Sequence, residues 1–198
     1  IAVLDPTGGS GAFLFAALTI LEDLYDACLD RMEWFVDERT NDGRLSDFRT
    51  TLAEVARHPN RRYFILKSII VSNLYAVDIM EEAVEICKLR LFLKLVAQVE
   101  QAERIEPLPD IDFNIRAGNT LVGFVSREDV RAALEMEQTG TGAAQGKLIF
   151  GAEQSALDRI EEKAREIDRA FASFRALQTL NERPGETVGE AKAALKAK

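Results

Sequence analysis

The chain has 198 residues, 47% apolar and 29% charged, which suits one sizeable core or one domain with an appendage. Its formal net charge of −8 argues against a general nucleic-acid surface, because phosphate neutralisation needs basic residues. Residues 1–125 carry 13 Lys+Arg against 20 Asp+Glu, and residues 126–198 carry 12 against 13. Two cysteines, Cys28 and Cys87, and one histidine, His58, stand in no metal-ligand spacing, and both cysteines read as small buried hydrophobes. No apolar run reaches the length of a membrane span and no signal peptide is visible, so a cytoplasmic chain without membrane contact is expected.

In chain order, "IAVLD" predicts a strand over 1–5, and "PTGGSG" a tight glycine turn. Apolar residues at Leu14, Leu18, Leu21, Tyr25, Cys28 and Met32 predict a helix from 11 to about 32. Asn41, Asp42 and Gly43 supply turn chemistry, and helices follow over about 45–57 and 61–71. "SNLYAVDI" predicts a second strand over 73–78, and "MEEAVEICKLRLFLKLVAQVEQAER" a long amphipathic helix. A third strand is expected over 112–117, before the turn Gly118–Asn119. Strands alternating with helices define an α/β fold: a partial Rossmann-like parallel sheet with helices on its faces, and a helical insertion at about 30–72. Residues 126–198 are expected to form a helical appendage, with helices at 126–137 and 155–180 separated by the flexible link "TGTGAAQG".

A strand, glycine turn and helix brings a ligand against bare backbone and offers it free N–H groups. A triphosphate needs Gly-Lys-Ser/Thr, whereas Ala12 and Phe13 follow Gly11. A dinucleotide fingerprint needs a third glycine where Leu14 stands. S-adenosylmethionine, which has no pyrophosphate, fits the turn. Asp78, ending the second strand, can accept both ribose hydroxyls, although a capping role would also explain it. Ile79 can cover an adenine face, and Asn119 can pair with the adenine edge or serve as a plain turn residue.

"LDPTGGSGAFL" resembles motif I of the adenine-N6 DNA methyltransferases, usually Asp-Pro-X-Cys-Gly-Ser-Gly. "NLYAVDIMEEAVEICKLRLFL" and "LPDIDFNIRAGNTLVG" resemble the following segments of large BREX-type phage-defence methyltransferases and fused restriction–modification enzymes. The resemblance covers about residues 1–125 and implies a class I S-adenosylmethionine-dependent methyltransferase fold. It also implies that Asp5, Thr7, Gly9 and Gly11 wall the methionine portion. Asp78 would hold the ribose, Ile79 would pack on adenine, and Asn119 would contact its edge. Gly8 departs from the usual Cys, and is expected to preserve the backbone path while loosening it.

Methylation of an exocyclic amine requires a flipped base held by hydrogen bonds and an aromatic stack. The resemblance assigns that work to an Asn-Pro-Pro-Tyr/Phe motif. Of the five prolines, Pro6, Pro59, Pro107, Pro109 and Pro184, no two are adjacent. The expectation is therefore an excised cofactor-binding piece of a site-specific DNA adenine methyltransferase, inactive alone. Double-stranded DNA would be engaged through the full-length protein. A non-catalytic interaction module, or a methyltransferase acting on RNA or protein, stays open as an alternative.

Overall fold

A computed structural model describes residues 1–39, 42–99, 106–123, 126, 128–130, 132, 150–179 and 192–193. It contains β1 (Val3–Asp5), α1 (Ala12–Glu38), α2 (Ser46–Arg57) and α3 (Arg61–Ser72). β2 (Leu74–Asp78), α4 (Glu81–Val96), β3 (Ile115–Ala117) and α5 (Phe150–Thr179) follow. Two compact units result: residues 1–120 with 175–189, and residues 121–174 with 190–198. The expected link at 139–146 and the segment after α5 fall almost wholly outside the described residues. Of the expected helix 126–137, residues 128–130 and 132 are helical.

The three strands form one parallel sheet in the order β1-β2-β3. Register pairs Val3 with Leu74, Asp5 with Ala76, and Ala76 with Ile115, so these residues share one face. On that face lies the core, where Leu74, Ala76 and Ile115 meet Leu14 and Leu18 of α1, Leu66 and Ile69 of α3, and Cys87 and Leu91 of α4. The alternate residues behave differently: Leu4 is exposed, while Tyr75 is half-buried and its hydroxyl accepts from Arg175 of α5 at 3.0 Å.

Local chemistry explains the boundaries. α1 runs beyond the expected residue 32 because no breaker appears before Asn41–Gly43. Its buried stripe passes through Leu29, so Cys28, one position away, is exposed rather than buried as expected. Asn60 caps α3 by accepting from Tyr63 N at 2.8 Å, and its amide donates to Gln98 O at 2.7 Å. Just beyond α4, i→i+3 bonds from Gln98 and Val99 tighten the backbone, so the helix stops at Val96, short of the expected extent. β3 starts at Ile115 rather than 112, because Ile111 O accepts from both Asn114 N and Ile115 N and folds residues 111–114 into a turn.

α1 and α3 are joined across their polar sides. Arg61 pairs with Asp26, Asp30 and Glu33, and Arg62 with Glu22. Asn73, between α3 and β2, ties α1, α3 and β1 together. It accepts from the Tyr25 hydroxyl at 2.8 Å, donates to Ile1 O at 2.6 Å, receives Val3 N at 2.7 Å, and donates its own N–H to Ile69 O. Among the described residues, no helix is long and apolar enough to cross a membrane.

Candidate functional site

In parallel strands all carboxyl ends share one edge, where α/β sheets place their ligands. Here that edge gathers the turn Pro6–Gly11, the stretch Asp78–Met80 and the turn Gly118–Thr120. Direct bonds tie these three pieces. Gly8 N donates to Val77 O at 3.0 Å, and Gly118 N to Asp78 O at 2.9 Å. The Thr120 hydroxyl donates to Pro6 O at 3.1 Å.

The register explains how Asp78 arrives there. β2 continues two residues past Ala76, the partner of Asp5, and so brings a carboxylate beside the glycine turn. Its Oδ2 accepts from Gly9 N at 2.8 Å and its Oδ1 from Met80 N at 2.9 Å. These backbone donors, Met80 first and then Gly9, hold its carboxyl below the usual carboxylate range. An ionised acceptor with lone pairs to spare sits at the rim.

Each glycine of the turn has its own geometric reason. Gly9 has φ +51°, and a Cβ there would meet nothing within 4 Å, so the backbone at this point faces open space. At Gly11 (φ +88°) a Cβ would lie 2.6 Å from Cys87 Sγ, so α4 itself demands glycine. A Cβ on Gly8 would lie 2.8 Å from Ala76 Cβ. Gly8 therefore does not loosen the turn, as its departure from Cys suggests; Ala76 fills that space, and the Val77 bond pins the backbone.

Asp5 is 8% exposed. Its Oδ1 accepts from Thr7 N at 3.1 Å, while the buried Oδ2 has no partner among the described residues. A buried carboxylate oxygen beside an open glycine backbone is suited to a cationic or hydroxyl donor. Ile79 is 75% exposed, next to Asp78. Asn119 is exposed on the β3 turn, two positions beyond Ala117, the partner of Asp78. All eight residues singled out in the sequence thus lie on one edge of one unit. Reading the sequence alone missed Arg90 of α4, which reaches Ser10; its signal was a basic residue one turn after buried Cys87.

A second polar cluster, also unforeseen, lies elsewhere in the same unit. Glu106 meets His58 Nδ1 at 2.8 Å and Lys67 Nζ at 2.8 Å, and all three side chains are at least nine-tenths buried. Burial alone would raise the Glu106 carboxyl, but hydrogen bonds from His58 and Lys67, together with the Lys67 charge, hold it below its usual range. Burial pushes the neighbouring Tyr63 hydroxyl upward, and the Glu106 charge adds to that.

Comparison with known proteins gives one informative likeness. Over 128 residues, 63% of this chain, the sequence is 36% identical to a Methanocaldococcus jannaschii protein provisionally named a type II restriction enzyme and methyltransferase. The matched stretch spans 9% of that protein's length. No protein-family profile and no solved structure matches the chain. The chain is thus related to a restriction–modification protein, and its described residues form a small α/β sheet under helices.

Proposed function

We propose that this chain is the S-adenosylmethionine-binding portion of a site-specific DNA adenine-N6 methyltransferase of a restriction–modification or phage-defence system. In this reading the sheet is the partial core of a class I methyltransferase, with α1, α3 and α4 packed on one face rather than helices on both. Residues 1–125 form the cofactor unit, and 126–198 a helical segment ahead of the base-holding motif. The observation that carries it is the meeting of an open glycine turn with the Asp78 carboxylate at the strand ends. The similarity to a Methanocaldococcus jannaschii protein named as a restriction enzyme and methyltransferase supports the reaction class and a DNA substrate.

The residues present fit the cofactor. Asp78 retains lone pairs for ribose hydroxyls, and Ile79 offers an exposed apolar surface for adenine, with Asn119 at its edge. Asp5 and the backbone of Thr7, Gly8, Gly9 and Gly11 line the methionine side, where the unpartnered Asp5 Oδ2 can take the ammonium group. When bound, the cofactor supplies an electrophilic methyl on sulfonium. This chain's part is to hold and orient that donor. Base extrusion and stacking belong to a motif absent from these 198 residues.

Titration calorimetry with S-adenosylmethionine tests the reading. Saturable binding is expected, with Asp78→Ala weakening it by about tenfold or more through loss of charge-assisted bonds. Gly9→Val, which projects a branched side chain into the open space, should weaken it further. No methyl transfer to unmethylated genomic DNA is expected from this chain alone. Absence of binding by the wild-type chain, or unchanged affinity in Asp78→Ala, would overturn the assignment.

A further inference from the structure

We propose that Arg90, on α4, is a positioning residue that sets the plane of the Ser10–Gly11 peptide and so shapes the cofactor turn. This rests on the cofactor reading above. Arg90 Nη1 donates to Ser10 O at 2.6 Å and contacts Ser10 Oγ at 3.2 Å. Its guanidinium lies 4.5 Å from the centroid of the Phe15 ring, one turn into α1. At the other end of the same peptide, Gly11 N donates to Gly8 O at 2.8 Å.

A trans peptide directs its C=O and N–H to opposite sides, so fixing both ends fixes its plane. That plane turns about ψ of Ser10 and φ of Gly11, and Gly11, at positive φ, by itself tolerates rotation. Were the peptide to flip, the Ser10 carbonyl would leave Arg90 and take the direction now held by the Gly11 N–H, setting it against Gly8 O inside the turn and reshaping the backbone offered to a ligand. Cys87, one turn before Arg90, closes the remaining slack by contact with Gly11. Only a planar cation can lie flat on Phe15 while donating in its own plane to Ser10, which makes lysine an incomplete substitute.

The test has two readouts in the 198-residue chain. Arg90→Gln is expected to lower S-adenosylmethionine affinity by about tenfold, by loss of a charge-assisted bond, and Arg90→Lys to recover part of it. Without cofactor, amide hydrogen exchange at residues 9–13 should quicken in Arg90→Gln by about fivefold or more, with β2 and α3 amides unchanged. Wild-type binding with equal affinity in Arg90→Gln would overturn this inference and leave the cofactor reading standing. Failure of the wild type to bind would overturn the cofactor reading and the positioning role with it. Equal exchange at residues 9–13 would show that the turn is held without Arg90 and overturn the positioning role.

Discussion

Substituting Gly11 by alanine separates two costs that the structure superimposes at one position. The φ of +88° is the first, and placing an L side chain there costs roughly 1–2 kcal/mol. The second is collision: the new Cβ would lie 2.6 Å from Cys87 Sγ, far inside carbon–heavy-atom contact, an overpacking worth about 1–3 kcal/mol. Together they amount to about 2–5 kcal/mol, a large share of the stability of an ordinary domain. Cys87→Ala removes Sγ and leaves only Cys87 Cβ, 3.6 Å from the new carbon, an ordinary contact. Gly11→Ala in that background should therefore cost only the backbone part. Equilibrium urea unfolding of the wild type, both single variants and the double variant measures the coupling directly. A favourable interaction of about 1–3 kcal/mol is expected. Additivity within about 0.5 kcal/mol would refute the packing of α4 against the turn.

Glu106→Gln leaves the Lys67 ammonium buried beside a neutral amide, and should cost about 3 kcal/mol in urea unfolding. Because Glu106 titrates below its usual range in the fold, its contribution is complete at neutral pH. It should fade as pH drops below about 4.5, through the depressed folded value, and the variant should lack that component of acid sensitivity. A wild type and variant with parallel stability–pH curves would contradict this. Asn114 donates through Nδ2 to Val71 O at 3.0 Å, Leu74 O at 3.1 Å and, more weakly, Ile70 O at 3.4 Å. Asn114→Ala should cost about 2 kcal/mol by stranding buried carbonyls at the α3–β2 junction, and a loss under about 0.5 kcal/mol in thermal unfolding would deny that role.

Elements whose causes are local were legible in the sequence. The helix expected over 61–71 forms over 61–72, and the apolar run of β2 ends at Asp78, where the second strand is expected to end. The gathering of Asp5, the glycine turn, Asp78 and Asn119 on one edge also follows from strand order, because parallel strands must align their carboxyl ends. What escaped notice is set by distant partners. Arg90 meets Ser10 across 80 positions, and Glu106 meets His58 across 48 and Lys67 across 39. Cys28 was misplaced because a period near 3.6 accumulates error along a long helix, and Leu29 takes the buried place. Gly8 read as slack because its neighbour, Ala76, belongs to another strand.

The register that pairs Val3 with Leu74 has a kinetic side. The whole of α1, α2 and α3 lies between two strands that must pair, so closing β1 onto β2 from an open chain carries a long-loop entropy cost. Helices assemble from neighbours in sequence and do not wait for that closure. Once α1 and α3 dock through the Arg61 and Arg62 pairs, the effective loop shrinks to the short approaches into β1 and β2. Asn73, which touches Tyr25 of α1 and also receives Val3 N, then acts as a template on which β1 is laid down. The glycine turn follows β1 directly in the chain, so the edge that carries it is among the last parts of this unit to take shape.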